Sequence, residues 1–290
     1  MKKNALLFTS LALAATTATA AAPTDAELGN LAYRGIHDQP VTLQDGRHEG
    51  APYVAEGAAR PIVRLHPAPR LQVDLDGDGE AEAVVLLSQT SGGSGEYTHL
   101  AVVARRDGGA QNLSTVNLGD RVMLKRLEAQ DARIVAEIVT AGPNEPACCP
   151  TQKTENVYEL QDGALTRVSS RVLGNLSPAD LAGAWRLVQI GTQAIPEQVV
   201  VTAEFTPGRI AGRGGCNRYF GAIAGSGAND LRIGPLGATQ MACSEPAGST
   251  ETRFLSALGR VTGIRFMLGR LALLATESGT AEMLLFERLK

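Results

Sequence analysis

Cys216 and Cys243 stand on either side of a turn-rich hairpin, and an amphipathic segment follows them. The stretch runs from Gly214-Gly215-Cys216-Asn217-Arg218-Tyr219-Phe220-Gly221 through the strand-like Leu231-Arg232-Ile233 and Thr239-Gln240-Met241-Ala242-Cys243 to Phe254-Leu255-Ser256-Ala257-Leu258. Glycines at the turns and short apolar runs between them suit strands, not long helices. A chain carrying this pattern is read as a stapled β scaffold around one helix more readily than as a reaction centre.

The compartment is read from the first residues. Lys2 and Lys3 form a positive region, Ala5 to Ala15 a short apolar core, and Ala18-Thr19-Ala20 a small-residue cleavage site. That is the pattern of a secretory signal peptide over residues 1–20, too short to span a membrane. No cysteine near the cleavage site could accept a lipid anchor, so the expectation is a periplasmic or secreted protein without a transmembrane segment in the mature chain. The remaining length suggests two domains, and charge divides them near Gly174. Residues 21–174 carry 14 Lys/Arg and 21 Asp/Glu, a net −7, whereas residues 175–290 carry 11 and 9, a net +2. Neither half has the basic, aromatic-interleaved face that nucleic acid would need.

In the first domain, Gly, Pro and single charges interrupt every apolar run up to residue 70, which suggests short strands. His37, His48 and His66 lack paired ligand spacing and are read as surface or hydrogen-bonding residues. Asp74, Asp76, Asp78, Glu80 and Glu82 then fall at every second position around two glycines. Calcium takes six to eight oxygens and tolerates irregular geometry, so this resembles the start of a calcium loop. Its twelfth position, where an EF-hand has a bidentate Glu, is Val85. The competing reading is an Asp-Gly turn whose carboxylates bind their own backbone amides. Beyond it, Thr98 to Ala104 alternates as a strand. Leu118 to Leu127 and Ala132 to Val139 read as a strand pair joined by a hairpin. Cys148 and Cys149 lie in a proline-bounded loop, where they form a vicinal disulfide, stay reduced, or pair elsewhere. Two adjacent thiolates lack zinc-finger spacing, and the recurring redox spacing Cys-x-x-Cys is absent.

The second domain opens with Ser177-Pro178-Ala179-Asp180-Leu181, a helix start with Ser at the cap, Pro at the first position and an acid in the first turn. Trp185 to Ile190 alternates with Trp185 inward, and Val199 to Phe205 follows as its neighbour. Ser249 as cap and Glu251 in the first turn begin a helix whose Phe254, Leu255, Leu258 and Val261 form one buried stripe. Asn217 is the one polar residue of this stretch that could face a ligand, and the preferred reading is that it caps or bonds the turn, as Asn commonly does. Leu181-x-Gly183-x-Trp185-x-Leu187, Gly214-x-Cys216-Asn217-x-Tyr219-Phe220-Gly221, Thr239-x-Met241-Ala242-Cys243, Glu251-x-x-Phe254-Leu255-x-x-Leu258, Leu271-x-Leu273 and Met283-Leu284-Leu285-Phe286 resemble, in order, the META domain of HslJ-like envelope proteins. The upstream half, with its Asp-Leu-Asp-Gly-Asp-Gly and Cys-Cys-Pro-Thr runs, resembles a module found ahead of such domains in exported bacterial proteins. The resemblance implies a mainly β fold: two small antiparallel β-rich (α+β) domains, 21–174 and 175–290, the second a META-type fold with one packed helix. It implies links to envelope stress and antibiotic tolerance, and offers no established catalytic residues to carry over. A Cys216–Cys243 disulfide closing about 25 residues is expected to stabilise by roughly 3 kcal/mol.

The function expected from this reading is an exported, non-enzymatic envelope protein that binds or stabilises a partner (a protein, lipid or peptide) through its META domain, without cofactor. The alternatives are a calcium-dependent binding module and an exported enzyme using the Asp/Glu cluster with His99 in the first domain. Fold analogy adds an apolar pocket inside the META barrel for a lipid or peptide tail.

Overall fold

The computed structural model describes residues 21–277 and 280–289, and the segment read as a signal peptide lies outside them. A short helix, α1 (Asp25–Gly29), comes first. Its cap is reciprocal: the Thr24 hydroxyl accepts from Glu27 N, and the Glu27 carboxylate accepts from Thr24 N at 2.8 Å. Strands β1 (Ala32–Tyr33) and β2 (Val41–Thr42) pair as a ribbon beside it.

Two antiparallel sheets follow. The first, of six strands, runs in the order β3 (Arg47–Glu49), β4 (Ile62–Leu65), β6 (Glu82–Thr90), β7 (Glu96–Arg106), β8 (Gly109–Asp120), with β5 (Leu71–Val73) alongside β6. The second runs β12 (Ala164–Asn175), β11 (Gln152–Gln161), β10 (Arg133–Thr140), β9 (Met123–Gln130). Strands β6 and β7 are apolar on both sides because both sides are covered. Val84, Leu86, Leu100 and Val102 meet Leu124, Ile134 and Tyr158 of the second sheet, while Val85, Leu87, Ala101 and Val103 meet Leu28, Tyr33, Val41 and Leu43. Two Asp-Gly turns, Asp107-Gly108 and Asp162-Gly163, take positive φ at both positions, the conformation a two-residue hairpin requires.

The expected continuous strand from Leu118 to Leu127 is broken. Strand β8 ends at Asp120 and β9 starts at Met123 in the other sheet, with Arg121 at φ 50° between them. The Asp120 carboxylate fixes that corner by accepting from Glu96 N and pairing with Arg121.

A 3-10 turn, Pro178–Leu181, then opens the third sheet, with Asp180 reaching back to Ser177 N at 2.9 Å. Its strands run β18 (Arg232–Ile233), β17 (Arg218–Ala224), β16 (Arg209–Arg213), β15 (Thr202–Thr206), β13 (Gly183–Ile190), β22 (Thr280–Arg288), β21 (Arg270–Glu277), β20 (Val261–Met267). Strand β14 (Gln193–Ala194) pairs with β13, and β19 (Gly237–Ala238) with β17. The sheet curls until its edges meet, Leu231 N donating to Thr262 O and Ile264 N to Ala228 O. Trp185, Tyr219, Phe254, Phe266 and Phe286 fill the interior, with Tyr219 edge-on to Phe254 at 5.4 Å. These rings occupy the space in which a bound tail would lie. Helix α2 (Ala247–Leu258) closes one end, burying Phe254, Ala257 and Leu258; it begins after Pro246 instead of at a Ser249 cap. Residues 239–243, read as a strand, carry no ladder. Met123, Val139 and Leu176 join this third core to the rest of the chain, and Lys125 and Lys153 both donate to Asp180 across the seam.

Candidate binding face and its supports

Alternation along β15, β16 and β17 turns Ala203, Phe205, Ile210 and Tyr219 inward, which leaves Glu204, Arg209, Arg213, Arg218 and Phe220 on the outer face. The hairpin register places Arg213 directly opposite Arg218, and Ala211 opposite Phe220. Two cations at directly opposed positions repel. Among the described residues neither forms a salt bridge; an opposing charge acting on Arg213 is that of Glu251 beneath the face. Phe220 is 55% and Met241 59% exposed. The Arg209 guanidinium lies 5.7 Å from the centre of the Phe220 ring. That ring crosses Gly237, where an added Cβ would come within 2.8 Å of it. Together with Thr202, Gly212, Cys216 and Thr239 these residues line an open cleft of about 820 Å³.

The face rests on a buried polar hub. Glu251, from the buried side of α2, accepts from Asn217 N at 2.6 Å, Asn217 Nδ2 at 2.7 Å and Cys216 N at 3.1 Å. Asn217 Oδ1 in turn accepts from Met241 N and the Thr239 hydroxyl, both at 2.8 Å. Burial opposes ionisation of Glu251, but the Asn217 and Cys216 donors, with Arg213 nearby, outweigh it and hold the carboxyl below its usual range. Cys216 and Cys243 are joined, with Cα atoms 5.9 Å apart, which ties the same loop to the start of α2. Asn217 is thus a loop-bonding residue as expected, although its partners lie far along the chain. Glu251 was read only as a first-turn acid; the signal for its role was a carboxylate three residues before Phe254 and seven before Leu258, on the apolar stripe itself.

Of the acidic residues in the first domain, Asp74, Asp76 and Asp78 come together, with one carboxylate oxygen from each within 4.8 Å of the others. Glu80 and Glu82 are not part of that group. Asp74 accepts from Gly77 N and Gly79 N, Asp76 from Asp78 N, and Asp78 from Glu80 N. Arg106 closes the cluster, 2.7 Å from Asp76 and 3.1 Å from Asp78. Glu82 is buried beneath it and accepts from Leu75 N at 2.8 Å. Burial first, then the charges of Asp76 and Asp78, push its carboxyl above the usual range. A cation seated among the three aspartates would therefore have to displace Arg106.

His99 is buried, with Nε2 3.4 Å from Gln89 Oε1 and Nδ1 without a partner. Burial, with His37 nearby, lowers its pKa to about 4. Its hydrogen-bond partner is an amide, not a member of the acidic cluster. Cys148 and Cys149 are both reduced, the first exposed and the second half-buried.

The META domain family model matches residues 179–288. Among solved structures, the NMR structure of a protein from Burkholderia xenovorans is similar at 26% identity and a TM-score of 0.33, over 42% of this chain and 95% of the other. A DUF4847-family protein from Bacteroides vulgatus matches at 14% identity and a TM-score of 0.28, over 38% of this chain and 96% of its own. No curated protein matches the chain.

Proposed function

We propose that this protein, whose residues 179–288 match the META domain family model, is an exported, non-enzymatic envelope protein that captures a partner on the outer face of that domain. The observation that carries this reading is the opposed pair Arg213 and Arg218 beside exposed Phe220 and Met241. Two opposed cations without a salt bridge, next to an exposed ring, suit an extended protein segment that brings carboxylates and one apolar side chain. Each carboxylate would relieve the repulsion, and the apolar group would cover Phe220. Export is supported by the charged, apolar and small-residue pattern of the first twenty residues and by a disulfide, which persists in oxidising compartments. A binding role is favoured over chemistry by the hub beneath the face. Asn217 and Glu251 commit their polar atoms to one another and to neighbouring backbone, leaving a rigid platform.

The test is crosslinked capture from an exported fraction by the full chain and by the double variant Arg213→Glu, Arg218→Glu. The expected result is a partner band that the double variant loses and that an Arg167→Glu variant in β12 retains. Equal capture by all three proteins would overturn the proposal.

A further inference from the structure

The pair Cys148 and Cys149 takes no part in the face just described, and its surroundings are built. The loop joining β10 to β11 is clamped by one side chain: the Glu145 carboxylate accepts from Gly142 N at 2.9 Å, from Thr151 N at 3.0 Å and from the Thr151 hydroxyl. Cys149 N donates to Pro146 O at 3.0 Å, so both ends of the loop are fixed, with Cys148 exposed and Cys149 half-buried. An exposed sulfur next to a second, half-buried one is free to attack an external disulfide and has its resolving partner beside it.

We propose that Cys148 and Cys149 form a thiol–disulfide exchange site, cycling between the dithiol of this structure and a Cys148–Cys149 disulfide by reaction with an external disulfide. The Cys148 thiolate attacks one sulfur of that disulfide, forming a mixed disulfide and releasing the other half as a thiolate. Cys149, giving its proton to the released thiolate, then attacks Cys148 Sγ. A Cys148–Cys149 bond forms, the mixed disulfide breaks, and the second half leaves. Two protein thiols are oxidised and one external disulfide is reduced to two thiols. Reading the steps backwards passes the disulfide to a substrate dithiol.

The order of attack follows from placement. Cys148 is the more exposed of the two, whereas Cys149 is half-buried and its thiol is pushed up, by Cys148 beside it and then by burial. The exposed Cys148 therefore meets the external disulfide first, and Cys149 is placed to resolve the mixed disulfide. The direction of exchange follows from covalent geometry. Adjacent Cα atoms across a trans peptide are about 3.8 Å apart, below the roughly 4.4–6.8 Å that disulfides usually span. The Cys216–Cys243 bridge, by contrast, spans 5.9 Å. A bond closed over adjacent residues is strained and more readily reduced, which suits a transferable disulfide, not a staple. The missing Cys-x-x-Cys spacing hides this pair from motif reading.

The test equilibrates the full chain, reduced gently enough to leave Cys216–Cys243 intact, with oxidised and reduced glutathione, followed by alkylation and intact-mass measurement. Wild type is expected to lose two hydrogens at Cys148 and Cys149 without retaining glutathione. Cys149→Ser is expected to stall as a single glutathione adduct at Cys148, and Cys148→Ser to form its adduct about tenfold more slowly. The proposal is overturned if wild type keeps both thiols free at oxidising ratios, if it accumulates two glutathione adducts, or if the two single variants react at equal rates. Trp185 fluorescence of each variant shows that the META domain remains folded, and the wild-type result stands without either substitution.

Discussion

Removing the Glu251 carboxylate tests the structural core of this account. Three donors converge on it, from Asn217 N, Asn217 Nδ2 and Cys216 N, and two of them are buried. Hydrogen bonds to a charged group contribute about 1.5–3 kcal/mol each, and an orphaned buried donor costs about 1–3 kcal/mol. The three share one acceptor group and do not add. Glu251→Ala leaves these neutral donors without an acceptor and is expected to cost about 2–4 kcal/mol, more than one orphaned donor and less than three added together. Glu251→Gln keeps the shape but replaces one acceptor oxygen with a donor. If its oxygen serves the two backbone groups, its amide faces Asn217 Nδ2, and Asn217 cannot turn over because Met241 N and Thr239 hold Oδ1. One orphaned contact of that kind costs about 2 kcal/mol. Urea unfolding followed by Trp185 fluorescence reads this directly, since Trp185 is the sole tryptophan, lies in the META core and donates to Leu181 O. The charge also sets a pH dependence. With the folded carboxyl held low, the unfolded chain takes up its proton first on acidification. The stabilisation is complete above the ordinary glutamate range and is lost as pH falls through the lower folded value. Glu251→Gln should flatten that acid limb. Two variants within about 0.5 kcal/mol of wild type, the range of an ordinary surface change, would refute the reasoning.

The Cys216–Cys243 bridge, over a separation of 27 residues, should contribute about 3.5 kcal/mol in the chain-entropy model, read as the loss of unfolding free energy in the double serine variant; a loss below about 1 kcal/mol would contradict it. His99 is neutral when folded down to about pH 4, so the unfolded chain binds the proton first between the ordinary histidine value and pH 4. Stability of the first domain, followed by far-UV circular dichroism, should therefore fall across that window, and His99→Gln should reduce the slope. Millimolar Ca²⁺ should leave the melting temperature of wild type nearly unchanged but raise that of Arg106→Ala, in which Asp76 and Asp78 lose their guanidinium. An equal rise in both proteins would show that Arg106 does not hold the place of a cation.

Much of the fold was legible because alternation and turn chemistry agree. The run from Ala83 to Leu87, the Asp162-Gly163 turn, the inward Trp185 and the stripe of α2 each announce their own conformation. The failures have local causes. Helix α1 is too short to show a period, and only the Thr24–Glu27 cap signals it. At the corner the positive φ falls on Arg121, a residue type that does not announce it, although Gly119 two positions earlier also takes a positive φ. Residues 239–243 look strand-like, yet Met241 N serves the Asn217 side chain instead of a ladder. At the site, Asn217 and the cysteines were visible as types, but their common partner Glu251 is 34 residues from Asn217. Arg213 and Arg218 are brought opposite one another only by the hairpin at Gly214-Gly215, so their pairing is a property of register, not of spacing.

The central claim is that the outer face of β15 to β17 meets a partner. Its most direct test places a photo-crosslinking side chain at Phe220, and separately at Val172 in β12, which is also exposed, in the full chain expressed in its own cells. Illumination should yield a discrete adduct from position 220 and none from position 172. Adducts from 172 alone, or none from 220, would contradict the account.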